Sequence, residues 1–142
     1  MNTSRSILFV CLHGAAKSVL AAADFQRLAA ARGLTLTAEA AGTEPDPQMA
    51  PAVVAALRAD GVDLGGKRPH QVTAADTARA ARVVTFGCEL GGAMPAAVPV
   101  ERWDDVPAVS ENLPLARAAI RRHLDRLLDE YATEGTRPAD RA

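Results

Sequence analysis

A short apolar run that leads through a small-residue loop into a helix restricts the fold of this chain more than any other feature. Residues 7–10, Ile-Leu-Phe-Val, are typical of a strand that is covered on both faces of a parallel sheet. An alanine- and leucine-rich stretch follows over residues 18–32 and stops at Gly33, as a helix does. The pattern predicts that the chain opens with a strand, a loop and a helix.

The rest of the chain continues this alternation. The sequence pattern predicts a strand at residues 34–40, a helix at 50–59 and a short helix at 74–80. It then predicts two strands, at 82–86 and 98–103, and a long amphipathic helix at 113–131. Such alternation favours an α/β fold with parallel strands and right-handed crossovers. Because 142 residues suit a single core, we expect one domain over residues 1–132 and a polar tail over residues 133–142.

The composition excludes several classes of partner. A net charge of -1 lacks the excess of Lys and Arg that nucleic-acid and membrane-surface binding usually need, and 4% aromatic residues offer little surface for stacking bases. No apolar run is long enough for a bilayer span, and none resembles a signal peptide. We therefore expect a cytoplasmic protein without nucleic-acid or membrane partners, in which Cys11 and Cys88 rest as thiols.

Cys11 lies between the first strand and the first helix, where chemistry on an oxyanion becomes feasible. The main-chain N–H groups of such a loop can converge on one point, and the helix dipole adds positive potential there. The loop residues proposed to bind an oxyanion are Leu12, His13, Gly14, Ala15, Ala16, Lys17 and Ser18.

Three of these residues have a specific expected role. Gly14 can adopt the positive φ that a cradle of N–H groups requires, Lys17 adds a full charge, and Ser18 can donate a hydrogen bond to the Cys11 sulfur. Together they predict a pKa for Cys11 below the value of roughly 8.5 for a free cysteine, and hence a thiolate nucleophile. The alternative is a buried, inert cysteine at a strand end.

The segment at residues 9–18 resembles the phosphate-binding loop of the low-molecular-weight protein tyrosine phosphatase family, whose pattern is Val-Cys-x-x-Asn-x-x-Arg-Ser. That family includes arsenate reductases coupled to thioredoxin or mycothiol. Further likeness lies at residues 41–47, at 60–64 together with 67–69, and at 83–88. The resemblance implies a four-stranded parallel sheet with helices on both faces, and a cysteine nucleophile at Cys11.

The chain departs from the family pattern at the residues that assist the nucleophile. Lys17 replaces the loop arginine, so a point charge replaces a bidentate fork. The family's general acid, an Asp-Pro after the last strand, is missing from residues 103–108. Asp104 or Asp105 could serve instead, and Asp105 is our candidate; the alternative is that both are solvated loop carboxylates.

Cys88 matches the second of the three cysteines that thioredoxin-coupled arsenate reductases use, but the third is absent. The preferred hypothesis is an arsenate reductase in which Cys11 attacks arsenate and a second thiol releases arsenite. That thiol would be Cys88 or an external one, such as mycothiol, glutathione or thioredoxin. The alternatives are a phosphatase for phosphotyrosine or small phosphoesters and a non-catalytic oxyanion-binding or regulatory module. We expect no bound cofactor and no metal, since no His or Cys pair has zinc-ligand spacing.

Overall fold

The structure, a computed structural model, describes residues 5–136 and consists of a sheet flanked by helices. Its elements are β1 (Arg5–Cys11), α1 (Lys17–Ala31), β2 (Leu36–Gly42), α2 (Pro51–Ala59), α3 (Ala74–Arg79), β3 (Arg82–Thr85), β4 (Val100–Arg102) and α4 (Leu113–Thr136). A single 3₁₀ turn spans Gly91–Ala93. None of the helices in this described part combines the length and hydrophobicity needed to cross a bilayer.

The four strands form one parallel sheet in the order β2-β1-β3-β4, as the resemblance implied. β1 lies in the interior of the sheet, and its last residue, Cys11, is opposite Gly42 at the end of β2. Because the carboxyl ends of parallel strands meet at one edge, the loops after β1, β2 and β4 are brought together there. This edge positions the candidate site.

Side chains alternate between the two faces of β1, and each face has its own apolar cluster. Ile7, Phe9 and Cys11 pack under α1, α2 and α4. Leu8 and Val10 pack against a smaller cluster built from the segments around α3 and the 3₁₀ turn. The prediction of helices on both faces is therefore confirmed.

The last helix is longer than predicted. α4 continues to Thr136, four residues into the segment predicted as a polar tail, and residues 137–142 lie outside the described part. Thr133 and Glu134 are polar but do not break a helix, so α4 continues past its predicted end at residue 131.

A buried carboxylate joins α1 to α4. Asp24 is fully buried and accepts two hydrogen bonds, of 2.9 and 2.8 Å, from Arg117, and further ones from Arg27 and Arg121. Burial alone would raise the pKa of Asp24, but the hydrogen bonds and charges of Arg117 and Arg121 outweigh burial and hold that pKa below its ordinary value. Asp24 is therefore ionised and paired at neutral pH.

Asp24→Asn should lower the free energy of unfolding at pH 7 by about 3 kcal/mol, because it leaves the half-buried Arg117 without its main partner. A carboxyl whose pKa is depressed in the folded state stabilises above its unfolded pKa, and this contribution is lost as the pH falls through the folded pKa. The difference between variant and wild type should therefore shrink in acid. Urea denaturation at neutral and acidic pH measures it. Asp129→Asn, which breaks an exposed ion pair with Arg32, is the control and should cost less than about 1 kcal/mol; equal losses would contradict this role of Asp24.

Candidate active site at the β1–α1 loop

Cys11 ends β1 with 6% of its surface exposed, at the point where the chain turns into the loop before α1. Its Sγ lies 3.1 Å from the Oγ of Ser18, a fully buried residue in the first turn of α1. When Cys11 is a thiolate, the Ser18 hydroxyl is the donor of this hydrogen bond. The structure thus brings together the predicted nucleophile and the hydroxyl predicted to support it.

The carbonyl groups of the loop accept hydrogen bonds from a second segment of the chain. Four of them accept hydrogen bonds of 2.7–3.2 Å from N–H groups of the segment that follows β2: Cys11 from Thr43, Leu12 from Glu44, His13 from Asp46, and Ala15 from Ala50. Because one side of each peptide unit is fixed in this way, the conformation of the loop is set before any ligand binds.

The N–H groups of the loop have no partners of this kind. Within residues 5–136, no group accepts a hydrogen bond from the main-chain N–H of any residue from Leu12 to Ala16. The N–H groups in the first turn of α1 have no partner inside the helix either, and the positive end of the helix dipole lies there. The loop and the helix together therefore present a set of donors suited to an anion.

Two glycines fix the shape of this loop. Gly14 has φ +61°, as the sequence predicted, and it packs main chain against main chain on Gly42 of β2. A Cβ added at Gly42 would lie 2.5 Å from the nitrogen of Gly14 and 2.8 Å from the carbonyl carbon of His13. Only glycine at position 42 allows the two loops to approach this closely.

The ammonium group of Lys17 connects the loop to the segment after β4. Its Nζ donates a 2.9 Å hydrogen bond to the main-chain carbonyl of Val106. An ammonium has three protons, so this contact leaves two for a ligand of the loop. Lys17 therefore brings the predicted full charge to the loop and also holds the segment after β4.

The two candidate acids are both engaged elsewhere. Asp104 pairs with Arg102 at 3.0 Å, and Asp105 accepts a 2.7 Å hydrogen bond from Nε2 of His123 on α4. That hydrogen bond holds the pKa of Asp105 below its ordinary value, so the carboxyl is ionised at neutral pH and has no proton to donate. The residue before Pro107 is Val106, whose buried side chain has no ionisable group and cannot act as an acid.

Cys88 lies in the smaller apolar cluster, whereas Cys11 belongs to the larger one. Its thiol is 6% exposed and donates a weak 3.5 Å hydrogen bond to the carbonyl of Val10. Burial raises the pKa of the Cys88 thiol above its ordinary value. Cys88 is therefore held in its protonated, less nucleophilic form.

His13 is exposed and contacts the segment after β2, with Nδ1 at 3.3 Å from the carbonyl of Glu44 and 3.2 Å from a carboxylate oxygen of Asp46. Glu44 and Asp46 belong to the segment after β2, whose N–H groups donate to the carbonyls of the Cys11 loop. In the described part of the chain, no three His, Cys, Asp or Glu side chains are placed to hold a metal ion.

The sequence did not indicate the roles of Gly42 and His123. Gly42 lies two residues beyond the predicted second strand but ends the observed β2, and a glycine at a strand end opposite a cysteine loop is a signal of close main-chain approach. His123 lies on the predicted last helix. Its ring stacks on Trp103 at 4.5 Å between centroids and binds Asp105, a pairing that no local sequence pattern reveals.

Known proteins resemble this chain in both sequence and fold. A family model described as low molecular weight phosphotyrosine protein phosphatase matches residues 6–106. No curated protein matches the sequence.

Solved structures share the fold along almost the whole chain. YfkJ from Bacillus subtilis has a TM-score of 0.80 and 23% identity, covering 94% of this chain and 98% of its own. An arsenate reductase from Archaeoglobus fulgidus has a TM-score of 0.65 and 26% identity, covering 87% and 98%. A low molecular weight protein tyrosine phosphatase from Bacillus subtilis has a TM-score of 0.69 and 20% identity, covering 96% and 99%.

Proposed function

Because this chain belongs to the low molecular weight phosphotyrosine protein phosphatase family, we propose that its loop binds a tetrahedral oxyanion and that Cys11 attacks it as a thiolate. One observation carries the proposal: the carbonyls of the loop are tied back while the N–H groups from Leu12 to Ala16 lack partners among the described residues. Such preorganised donors stabilise the charge that develops on an attacked oxyanion. Enzymes of this family need no bound cofactor.

We propose arsenate as the oxyanion that is turned over. Cleavage of a phosphomonoester needs an acid to protonate the departing alkoxide or phenoxide. Here Asp104 and Asp105 are both paired, and the residue before Pro107 is an uncharged valine. Attack on arsenate expels only an arsenic-bound oxygen, which takes its protons from solvent and leaves as water. The family's reductive branch therefore fits this site better than its hydrolytic branch.

The reaction balances with two thiols and arsenate. The Cys11 sulfur forms a bond to arsenic as one oxygen leaves as water, which gives a thiol–arsenate adduct. A second thiolate attacks the Cys11 sulfur, and the electron pair of the S–As bond stays on arsenic, so As(V) becomes As(III) and leaves as arsenite. The two sulfurs are joined in a disulfide, and a further thiol reduces this disulfide and restores Cys11.

The second thiol in this proposal is external: mycothiol, glutathione or thioredoxin. Burial raises the pKa of the Cys88 thiol, and the nearby Cys11 adds to this shift, so Cys88 stays protonated and is a poor attacking group. Solved structures that share this fold include both an arsenate reductase and a tyrosine phosphatase, so the choice between the two chemistries rests on the residues of the site.

Arsenite formation from arsenate tests the proposal, with each of the three thiols supplied in turn. We expect arsenite with at least one thiol, none with Cys11→Ser, and activity within about twofold of wild type with Cys88→Ser. Loss of activity in Cys88→Ser would instead establish an internal relay. Turnover of p-nitrophenyl phosphate without arsenate reduction would establish a phosphatase, and tight phosphate binding with neither activity would establish a binding module.

Lys17→Met should weaken phosphate binding by about 10-fold, because it removes a charged donor from the loop and its hydrogen bond to Val106. Lys17→Arg is the matched control and should retain binding and keep or raise the turnover of p-nitrophenyl phosphate, since a guanidinium supplies more donors. Calorimetric titration with phosphate and a colorimetric rate measure the two effects. Unchanged affinity in Lys17→Met would show that Lys17 only holds the segment after β4.

A further inference from the structure

A groove away from the Cys11 loop lies between α1, the edge of β2 and the segment at residues 62–70, with a volume of about 710 Å³. Small and half-buried apolar side chains form its floor, among them Ala23 of α1, Ala40 of β2 and Leu64. It is large enough for several residues of an extended chain but holds no side chain of the catalytic loop.

The wall formed by β2 is a sheet edge that the segment at 70–72 covers at Gly42 and that is open at Ala40. β2 is the outermost strand, and its even-numbered residues turn their main-chain groups away from β1: Gly42 pairs with the segment at 70–72, and the N–H of Ala38 donates to Gln26 Oε1 at 2.9 Å. Since these groups alternate along a strand, Ala40 also turns its N–H and C=O outward, and within residues 5–136 nothing pairs with them there.

The rim of the groove is positively charged. Arg27 and Arg79 line it, each paired with a carboxylate of its own helix, Asp24 or Asp76. Lys67 and Arg68 are different: both are exposed, and no described residue forms a hydrogen bond or ion pair with either side chain. The two therefore provide charge that is available to a partner.

Glu39 also lines the groove and is the acidic member of the rim. Its carboxylate lies 4.0 Å from Arg79, and it is one negative charge among four Lys and Arg side chains that line the groove. The balance of the rim thus stays positive at Lys67 and Arg68.

We propose that this groove binds an extended, acidic segment of a partner protein, which adds as a strand to the edge of β2. Free main-chain groups at Ala40 would pair with the main chain of the segment, as in other cases of strand addition. Because side chains alternate along a strand, one set would face the apolar floor while the other reached the rim. Apolar residues alternating with Asp or Glu are therefore the pattern that the groove fits.

A second copy of this chain is a poorer occupant than an acidic segment. Pairing two β2 edges about a two-fold axis would bring the two positively charged rims towards each other. Charge complementarity thus selects a foreign, acidic strand.

The test uses a fluorescein-labelled heptapeptide in which valine alternates with glutamate, and it measures anisotropy with the full chain. We expect saturable binding with a Kd on the order of 10 μM. The Lys67→Glu/Arg68→Glu variant should bind about 10-fold more weakly. The matched control, Arg58→Glu/Arg122→Glu, makes the same charge change at two exposed arginines outside the groove and should bind like wild type.

Two further arms distinguish strand addition from simple charge attraction. A peptide with N-methyl groups at alternate positions, which cannot donate to a sheet edge, should lose most of its affinity. Excess phosphate, which would occupy the Cys11 loop, should not displace the peptide when sodium chloride keeps the ionic strength constant. The proposal would be overturned if binding were not saturable or if the two charge-reversed variants bound with equal affinity. It would also be overturned if the methylated peptide kept its full affinity or if phosphate displaced the peptide. A dimer that is seen by sedimentation velocity and dissociates when the peptide is added would also overturn the proposal, since a second copy would then occupy the groove.

Discussion

Replacing Cys11 with serine should abolish arsenate reduction and any phosphoester turnover while the loop still binds an oxyanion. Serine keeps the shape of the site, and the N–H groups from Leu12 to Ala16 belong to the main chain, so binding depends little on the sulfur. A neutral hydroxyl beside Ser18 has no base to activate it. We expect turnover to fall by ~10⁴-fold or more, as for other enzymes that lose their nucleophile.

The measurement pairs a rate with an affinity for the same variant. Arsenite formation gives the rate, and calorimetric titration with phosphate gives the affinity, which should stay within about tenfold of wild type. Cys88→Ser is the control for loss of a buried thiol. Activity that survives in Cys11→Ser would eliminate Cys11 as the nucleophile.

Gly42→Ala should disable the site although Gly42 lies outside the loop that is proposed to bind the ligand. The new Cβ would lie 2.5 Å from the nitrogen of Gly14, and main-chain atoms cannot move aside as a flexible side chain can. The loop must therefore shift, and the hydrogen bonds that hold its carbonyls to the segment after β2 must lengthen or break. Misplaced donors of this kind should reduce turnover by ~100-fold, and the free energy of unfolding should fall by roughly 1–3 kcal/mol.

Gly92→Ala provides the matched comparison, since a Cβ at Gly92 meets nothing within 4 Å. Phosphate affinity, arsenite formation and urea denaturation should separate the two variants. If Gly42→Ala retained wild-type affinity and rate, the contact between the two loops would not set the geometry of the site.

The sequence was sufficient for the fold and for the conformation of the β1–α1 loop because both depend on local patterns. The apolar run at 7–10 and the helix that follows it predicted β1 and α1, and the order of the remaining elements predicted a parallel sheet. The positive φ of Gly14 followed from the needs of a tight loop.

The surroundings of the loop depend on contacts between distant segments, which the sequence could not reveal. The ammonium of Lys17 reaches Val106, 89 residues away, and the carboxylate of Asp105 meets His123 on the last helix. Asp24 is a carboxylate in an alanine-rich helix, and no local pattern indicates that it is buried and paired with Arg117. In each case a charged group is positioned by a partner that only the folded chain brings near.

These long-range pairings also bear on the chemistry. The segment after β4 supplies a carbonyl to Lys17 and a carboxylate to His123 instead of an acid to the loop. A site with a strong cradle and no proton donor should favour reactions whose leaving group is readily protonated by water. The proposed preference for arsenate over phosphomonoesters follows from this.

The reactivity of the Cys11 sulfur is the most direct test of the account. Cys88→Ser protein, folded or unfolded in urea, is alkylated with iodoacetamide over a range of pH, with and without phosphate, and the extent is followed by mass spectrometry. The account predicts faster alkylation of the folded protein at neutral pH and protection by phosphate. Equal rates in the folded and unfolded states, with no effect of phosphate, would contradict it.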